Sequence, residues 1–361
     1  MPTSRNTPVH VVIHVRTVDA RRRARSSAGL LQTLSAPRLR SFVKAALSCA
    51  FLALAARTGA AQGTRPVVRE PIIDMHLHAL HADDQGPYPQ FVCPGEGTLP
   101  APPTAASMQL RDVMACAHPL RSSATDSSVM TQTLAMMSRF NMRGVVSGDV
   151  DMVRRWKAAA HGRLFPAVTD AAPLDSIPSW VARGDVAILG ELAFQYAGIG
   201  PGDSLPERWI ALGERLDVPV AIHVGPGPPG APYLGAPAYR MRLSNPLLLE
   251  DVLVRHPKAR VYVMHAGWPF ADEMIALLWA HPQVYVDIGV IDWAVPRREF
   301  DAYLKRLVDA GFGKRIMYGS DQMVWPEAIR VSIERIEGAS YLSKEQKRDI
   351  LYNNAARFLR L

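Results

Sequence analysis

From Pro71 onward the chain repeats one pattern: a short run of β-branched and apolar residues, then a helix-favouring stretch, at intervals of roughly thirty to forty residues. The runs are Ile72 to Ala79, Gly144 to Asp149, Leu164 to Asp170, Val186 to Phe194, Pro219 to Gly225, Arg260 to Gly267, Val284 to Ile291 and Arg315 to Asp321. Helical patterns fill the intervals, among them Ser127 to Phe140, Leu205 to Leu216, Phe270 to Ala280 and Pro296 to Ala310. A last helix is expected from Lys344 to Leu359, with Ser343 as its N-cap. Parallel strands need crossover helices, and eight such units over about 290 residues fit an α/β architecture of the (β/α)8 TIM-barrel type better than an open doubly wound sheet. No G-x-G-x-x-G follows the first run, which removes the main dinucleotide-binding signal. Two connections are too long to be plain turns: Leu80 to Asp126 after strand 1 and Pro226 to Ser244 after strand 5. Both leave C-terminal strand ends, the catalytic face of a barrel, so the barrel is expected to be distorted, with long loops over a pocket.

The net charge of +8 invites a nucleic-acid partner until it is located. Residues Met1 to Ala61 hold ten basic side chains and one acidic, so the body from Gln62 onward is close to neutral. That leader reads as an export signal: a basic stretch ending at Lys44, the apolar run Ala45 to Ala56, then Gly59, Ala60 and Ala61 as a cleavage exit. The run is too short to span a bilayer, which takes about 20 residues. Cys49 is poorly placed for lipidation, so no stable membrane anchor is expected. The first forty residues exceed a usual signal n-region, which puts the true start downstream or makes this part disordered. The expected division is a leader over 1–61 and a barrel over 62–361, exported to the periplasm or secreted. An oxidising destination would let Cys93 and Cys116, both in the first long loop, form a disulfide.

The chemistry-bearing residues sit at strand ends. The first run, IIDMHLHA, spaces Asp74, His76 and His78 by two, and strict alternation puts all three on one face with Met75 and Leu77 on the other. His223 nears the end of the fifth run, His265 of the sixth, and Asp321 ends the eighth, while Glu191 lies within the fourth. A closed barrel brings these ends to one mouth. Carboxylates and imidazoles buried among apolar strands need a partner, and a divalent cation suits all of them. Nitrogen and oxygen donors without thiolate favour Zn2+, with Mn2+, Fe2+, Co2+ or Ni2+ as alternatives. Trp268 and Trp325 follow strands 6 and 8 and could stack on a ligand or simply pack, and His81 could line the pocket. Asp287 on the seventh run has no parity fixed by the sequence. His256 and His281 read as helix C-terminal residues.

The ordered set IIDMHLHA, GELAFQYAG, PVAIHVG, VMHAG, MYGSD and the terminal YNNAARFL resembles the amidohydrolase superfamily, and most of all its amidohydrolase-related branch, over about Pro71 to Leu361. The resemblance implies a distorted (β/α)8 barrel with one or two divalent metals. Carried over by position, His76, His78, His223 and Asp321 would be ligands, Asp321 would also take a proton from water, and His265 would contact that water or the substrate. Glu191 stands where two-metal members place a bridging carboxylate; single-metal, decarboxylase-like members do not require it.

The function expected is an exported metal-dependent hydrolase that uses activated water on a C–O or C–N bond of a small lactone, ester or amide. The alternatives are non-oxidative decarboxylation of an aromatic or unsaturated acid, and a TatD-like phosphoesterase. The neutral body disfavours the last, since it lacks a basic footprint for a phosphate backbone, and no nucleic-acid partner is expected. A homo-oligomer is compatible with the sequence. The absence of G-x-S-x-G and P-loop motifs leaves serine-hydrolase and nucleotide chemistry unsupported.

Overall fold

Eight parallel strands run in the order β1 (Ile72–Ala79), β4 (Met142–Gly148), β5 (Leu164–Val168), β6 (Ile188–Leu192), β7 (Val220–His223), β8 (Val261–Met264), β9 (Val284–Asp287) and β10 (Ile316–Met317). The computed structural model describes residues 69–95 and 116–361; the leader, its apolar run and residues 96–115 lie outside the described residues. All eight expected strands are present. β1 matches its run and β4 starts two residues early, while the other six strands are shorter than their runs because the last residues turn out of the ladder to form the mouth. Strands β2 (Phe91–Val92) and β3 (Leu120–Arg121) make a small antiparallel pair within the first long connection, which the sequence showed only as a loop. Cys93 and Cys116, Cα atoms 5.8 Å apart, are disulfide-bonded beside it.

Helices pack outside the strands, each with an apolar face turned to the sheet. In Ser204–Leu216 those residues are Trp209, Ile210 and Leu212, and in Arg297–Leu307 they are Phe300, Tyr303, Leu304 and Leu307. Asp126–Arg139 begins with a capping box in which Thr125 and Ser128 satisfy each other's backbone N–H groups. Among the described residues no helix is long and apolar enough to cross a membrane.

A second apolar cluster fills the barrel itself, drawing Ile73 and Met75 from β1, Val145 from β4, Ala167 from β5, Ile188 from β6, Ala221 from β7, Tyr262 and Met264 from β8 and Met317 from β10. Phe358, from the terminal helix, closes this cluster at the N-terminal end of the strands, its ring 5.6 Å from that of Tyr262 and 4.9 Å from that of Tyr285. The expected single terminal helix is Lys344–Arg348, a wider turn over Asp349–Asn353, then Asn354–Leu359. The barrel is nearly closed: β1 and β10 share no regular ladder, but Met75 N–H donates to Tyr318 O (2.9 Å) and Asp321 N–H donates to His76 O (2.7 Å).

Strict alternation fails twice. The β1–β4 register shifts between Asp74 and Leu77, and the β6–β7 register shifts between Leu189 and Leu192. Met75 is therefore inside the barrel and Leu77 in the outer core, rather than both on one face as the sequence spacing suggested. Asp74 is turned away from the histidines for the same reason. Its Oδ1 accepts from the backbone N–H of His76 (2.9 Å) and Ser320 (3.0 Å).

Because Phe358 seals the barrel base at 4% exposure, Phe358→Ala is expected to cost about 3–5 kcal/mol in denaturant unfolding. A loss below about 1 kcal/mol would show that the terminal helix is not part of the barrel core.

Candidate metal centre

Four imidazoles and two carboxylates converge where the strands end. His76 and His78 bring their Nε2 atoms within 3.1 Å of each other. Glu191, aimed inward by the register shift in β6, lies between two histidine pairs. Its Oε2 is 3.3 Å from His78 Nε2 and 3.7 Å from His76 Nε2, and its Oε1 is 3.6 Å from His223 Nε2 and 3.5 Å from His265 Nε2. Asp321 Oδ1 lies 3.0 Å from His78 Nε2 and 3.7 Å from His76 Nε2. All six residues named as site candidates from the sequence, His76, His78, Glu191, His223, His265 and Asp321, thus meet in one buried cluster, though the first and last are far apart in the chain.

The backbone is bent to achieve this. His265 (φ 58°) and Asp321 (φ 47°) both adopt the left-handed conformation just past their strands, which costs non-glycine residues on the order of 1–3 kcal/mol and is characteristic of functional sites. Gly225, after His223, leaves room for His265: a Cβ there would collide with the His265 side chain.

Supporting groups fix the rings. His76 Nδ1 lies 3.3 Å from Asp287 Oδ2, His265 Nδ1 2.9 Å from Gly289 O, and His78 Nδ1 3.1 Å from the Ser147 hydroxyl. An imidazole whose Nδ1–H is spent on a carboxylate or carbonyl presents Nε2 as a lone pair, the arrangement of a metal-ligating histidine with its outer carboxylate. Gln322 clamps the backbone of His78 from both sides, accepting from its N–H (3.0 Å) and donating to its carbonyl (2.7 Å).

Ser147 and Gln322 were not singled out by sequence, and Asp287 was noted there only with its direction open. For Asp287 a signal existed. The VYV of β8 and the VYV of β9 pair residue for residue, so Asp287 is level with Met264, whose side chain is inside the barrel. Asp170, just past β5, faces the same region, and burial together with Glu191 lifts its carboxyl to about 6. The side histidines are structural: His256 and His281 follow helix ends and lie 3.0 Å from Glu214 and 3.8 Å from Glu250. Trp325 is buried and donates to Gln90 O (3.3 Å), a packing role. His81 stands outside the cluster, half-exposed and 2.7 Å from Asp126. The cleft of about 540 Å³ beside it, between Asp83, Tyr88 and Thr125, includes no cluster residue.

The charges demand a cation. No Lys or Arg among the described residues pairs with Asp74, Glu191, Asp287 or Asp321, and the positive charge here comes from the imidazoles. Burial opposes charge on His78, yet its bonds to Asp321 and Glu191 push it up to about 9. His76 is likewise raised, against burial, by Asp321 and Asp287. His223 goes the other way, pushed down to about 3 by burial and the neighbouring His265. Burial works to raise Glu191 and Asp321, but the surrounding imidazoles hold both low. Asp74, outside the cluster, is lifted by burial to about 7. Protons thus stand where a metal ion would. The residues fit one: His265 Nε2 is buried without a hydrogen-bond partner. His76, His78 and Asp321 form one group of converging donor atoms, and Glu191, His223 and His265 another.

Fold and site together define a (β/α)8 barrel with a histidine-carboxylate centre for a divalent cation at the C-terminal mouth of its strands. The family model described as amidohydrolase matches residues 73–361, and the chain belongs to that family. A curated relative, Protein fluG of Emericella nidulans, is 22% identical over 158 residues, which are 40% of this chain and 17% of that protein's length. Among solved structures, an uncharacterised TIM-barrel protein from Bordetella bronchiseptica aligns with TM-score 0.56 at 15% identity, covering 81% of this chain and 99% of its own. A probable 2-pyrone-4,6-dicarboxylic acid hydrolase from Acinetobacter baumannii, solved with citric acid bound, aligns with TM-score 0.53 at 13% identity, covering 80% of this chain and 99% of its own. At these identities the likeness is one of fold.

Asp287 touches His76 and also accepts from the backbone N–H of His265 (3.3 Å) and Gly289 (2.8 Å). Asp287→Asn is expected to weaken divalent-metal binding about 10- to 100-fold in a chelator competition. Unchanged affinity would remove Asp287 from the support of the site.

Proposed function

We propose that the chain is a metal-dependent hydrolase acting on a C–O or C–N bond of a small lactone, ester or amide. The observation that carries the proposal is Glu191, whose two oxygens face separate histidine pairs, His76 with His78 on one side and His223 with His265 on the other. That placement supports a shared, two-ion centre, with Asp321 completing the His76 and His78 side. Zn2+ matches the donor set best. A bound divalent cation would supply positive charge that acidifies water and polarises a carbonyl.

The chain's own residues supply the rest. Asp321 is the base: its buried Oδ1, beside His78 Nε2, accepts a proton from water as the water oxygen bonds to the acyl carbon. When the acyl C–O or C–N bond breaks, the same oxygen returns the proton to the leaving atom. Asp321 is positioned for this by its N–H bond to His76 O, which ties the base to the strand carrying two ligands. His265 takes a different part from the expected contact with water or substrate. With Nδ1 bonded to Gly289 O, its Nε2 is a lone pair, and it suits a ligand better than a donor.

The test is metal analysis of the purified full chain followed by a lactone, ester and amide panel, with CO2 release from aromatic acids measured in parallel. The expected result is tightly held divalent metal, turnover of at least one acyl substrate, and a fall of about 10²- to 10⁴-fold in kcat for metal-loaded Asp321→Asn. A chain without metal under metal-replete conditions would sink the reading. CO2 release without acyl hydrolysis would replace it with decarboxylation.

We also propose export, on the strength of the basic and apolar leader; the Cys93–Cys116 bond supports an oxidising destination. Mature protein recovered from the periplasm or medium should begin near Gln62, and an intact leader on cytoplasmic protein would overturn this.

A further inference from the structure

Resting on the reading that the centre attacks an acyl carbonyl, we propose that the Tyr196 hydroxyl binds the substrate directly, donating a hydrogen bond to an oxygen of the acyl group. The centre as built is rich in acceptors and poor in donors. With a cation on their Nε2 atoms, His76 and His265 would keep only Nδ1–H groups, already bonded to Asp287 and Gly289 O, and Glu191 and Asp321 are carboxylates. An acyl oxygen that gains charge during addition needs a donor from the wall of the site.

Apart from Ser320, whose Oγ is buried without a partner on the segment bonded to Asp74, the hydroxyls around the mouth other than Tyr196 are spent. Ser147 is engaged with His78. Ser244 and Tyr239 both donate to Gly225 O, at 2.7 and 3.2 Å, and Tyr239 Oη accepts from Gly227 N–H at 2.7 Å. The Tyr262 hydroxyl donates to Met75 O (3.0 Å). Tyr196 makes no hydrogen bond through its hydroxyl to another described residue, although its ring is firmly held. It lies in the turn Phe194–Ala197 directly after the strand that carries Glu191. Its ring packs edge-on against the His223 imidazole, centroids 5.4 Å apart, and tilts onto Tyr239 at 5.1 Å.

Gly227 faces the phenol oxygen, and a Cβ there would come within 3.0 Å of it, so the glycine keeps space around the hydroxyl. Trp268 also has an unpartnered N–H, but Tyr196 is the one of the two whose ring rests on a cluster histidine.

The test compares the Zn2+-loaded full chain with its Tyr196→Phe variant, which keeps both ring contacts and removes the hydroxyl. Calorimetry reads binding of acetohydroxamate, which offers an acyl oxygen, and of azide, which offers none. The expected result is acetohydroxamate bound about tenfold more weakly by the variant, with azide affinity, metal content and Tm unchanged. On any acyl substrate the panel identifies, kcat should fall more than KM rises. Equal acetohydroxamate affinity in the two proteins, no binding by the wild type, or equal weakening of azide overturns the proposal. A wild type that binds acetohydroxamate but hydrolyses no acyl compound overturns the hydrolase reading instead, and the affinity ratio still decides the role of Tyr196.

Discussion

A β-strand offers the inside of a barrel only every second residue, and this protein needs more than that from two of its strands. In β1 the positions that fill the barrel low down are Ile73 and Met75, yet His76 and His78 must also point inward. In β6, Leu189 and Leu192 both belong to the outer core and Glu191 must face the histidines. Neither demand is compatible with an unbroken ladder. The two register shifts, between Asp74 and Leu77 and between Leu189 and Leu192, resolve the conflict by changing parity within the strand. Each break coincides with a residue of the centre. The apolar lower barrel and the polar mouth are thus carried on the same strands, with the shift marking the boundary on β1 and β6.

The second constraint is charge. Asp287, Glu191 and Asp321 are gathered with four imidazoles at a depth where isolated ionised groups cost several kcal/mol. No lysine or arginine of the described residues compensates them. Proton affinities move accordingly: His78 rises, Glu191 falls, and His223, pressed by burial and His265, gives up its charge. A cluster that polarises its members this strongly is organised around positive charge from outside the chain, and its nitrogen and oxygen donors specify a divalent ion better than an organic cation.

Much of this was legible in the sequence, and the failures have physical causes. The eight apolar runs gave the strand count because parallel strands buried on both faces are continuously β-branched and apolar. The residues of the centre could be found because each stands at or near the end of such a run. Side-chain direction was not legible where the ladder slips: the spacing of Asp74, His76 and His78 looked like one shared face, and the shift after Asp74 separates the first from the other two. Asp287 was recoverable from the paired VYV segments of β8 and β9. Tyr196, Ser147 and Gln322 carried no pattern, because their roles arise from contacts between strand ends and turns that no local period encodes.

The remaining question is why β1 and β10 lack a regular ladder at the place where Asp321, the proposed base, must be held. The two needs compete for the same backbone. Asp321 is aimed at His78 by a left-handed conformation, and His76 and His78 follow a register shift, so the backbone groups on either side of this seam cannot pair in parallel order. Side chains take over the missing bonds. Asp74 Oδ1 accepts from Ser320 N–H, Gln322 bonds both backbone groups of His78, and Asp321 N–H reaches His76 O. Asp74 is therefore turned out of the cluster yet helps set its geometry: it bonds the strand bearing the paired histidines to the segment bearing Asp321. The distortion of the barrel lies where the histidines, Glu191 and Asp321 meet, and the apolar cluster sealed by Phe358 fills the opposite end.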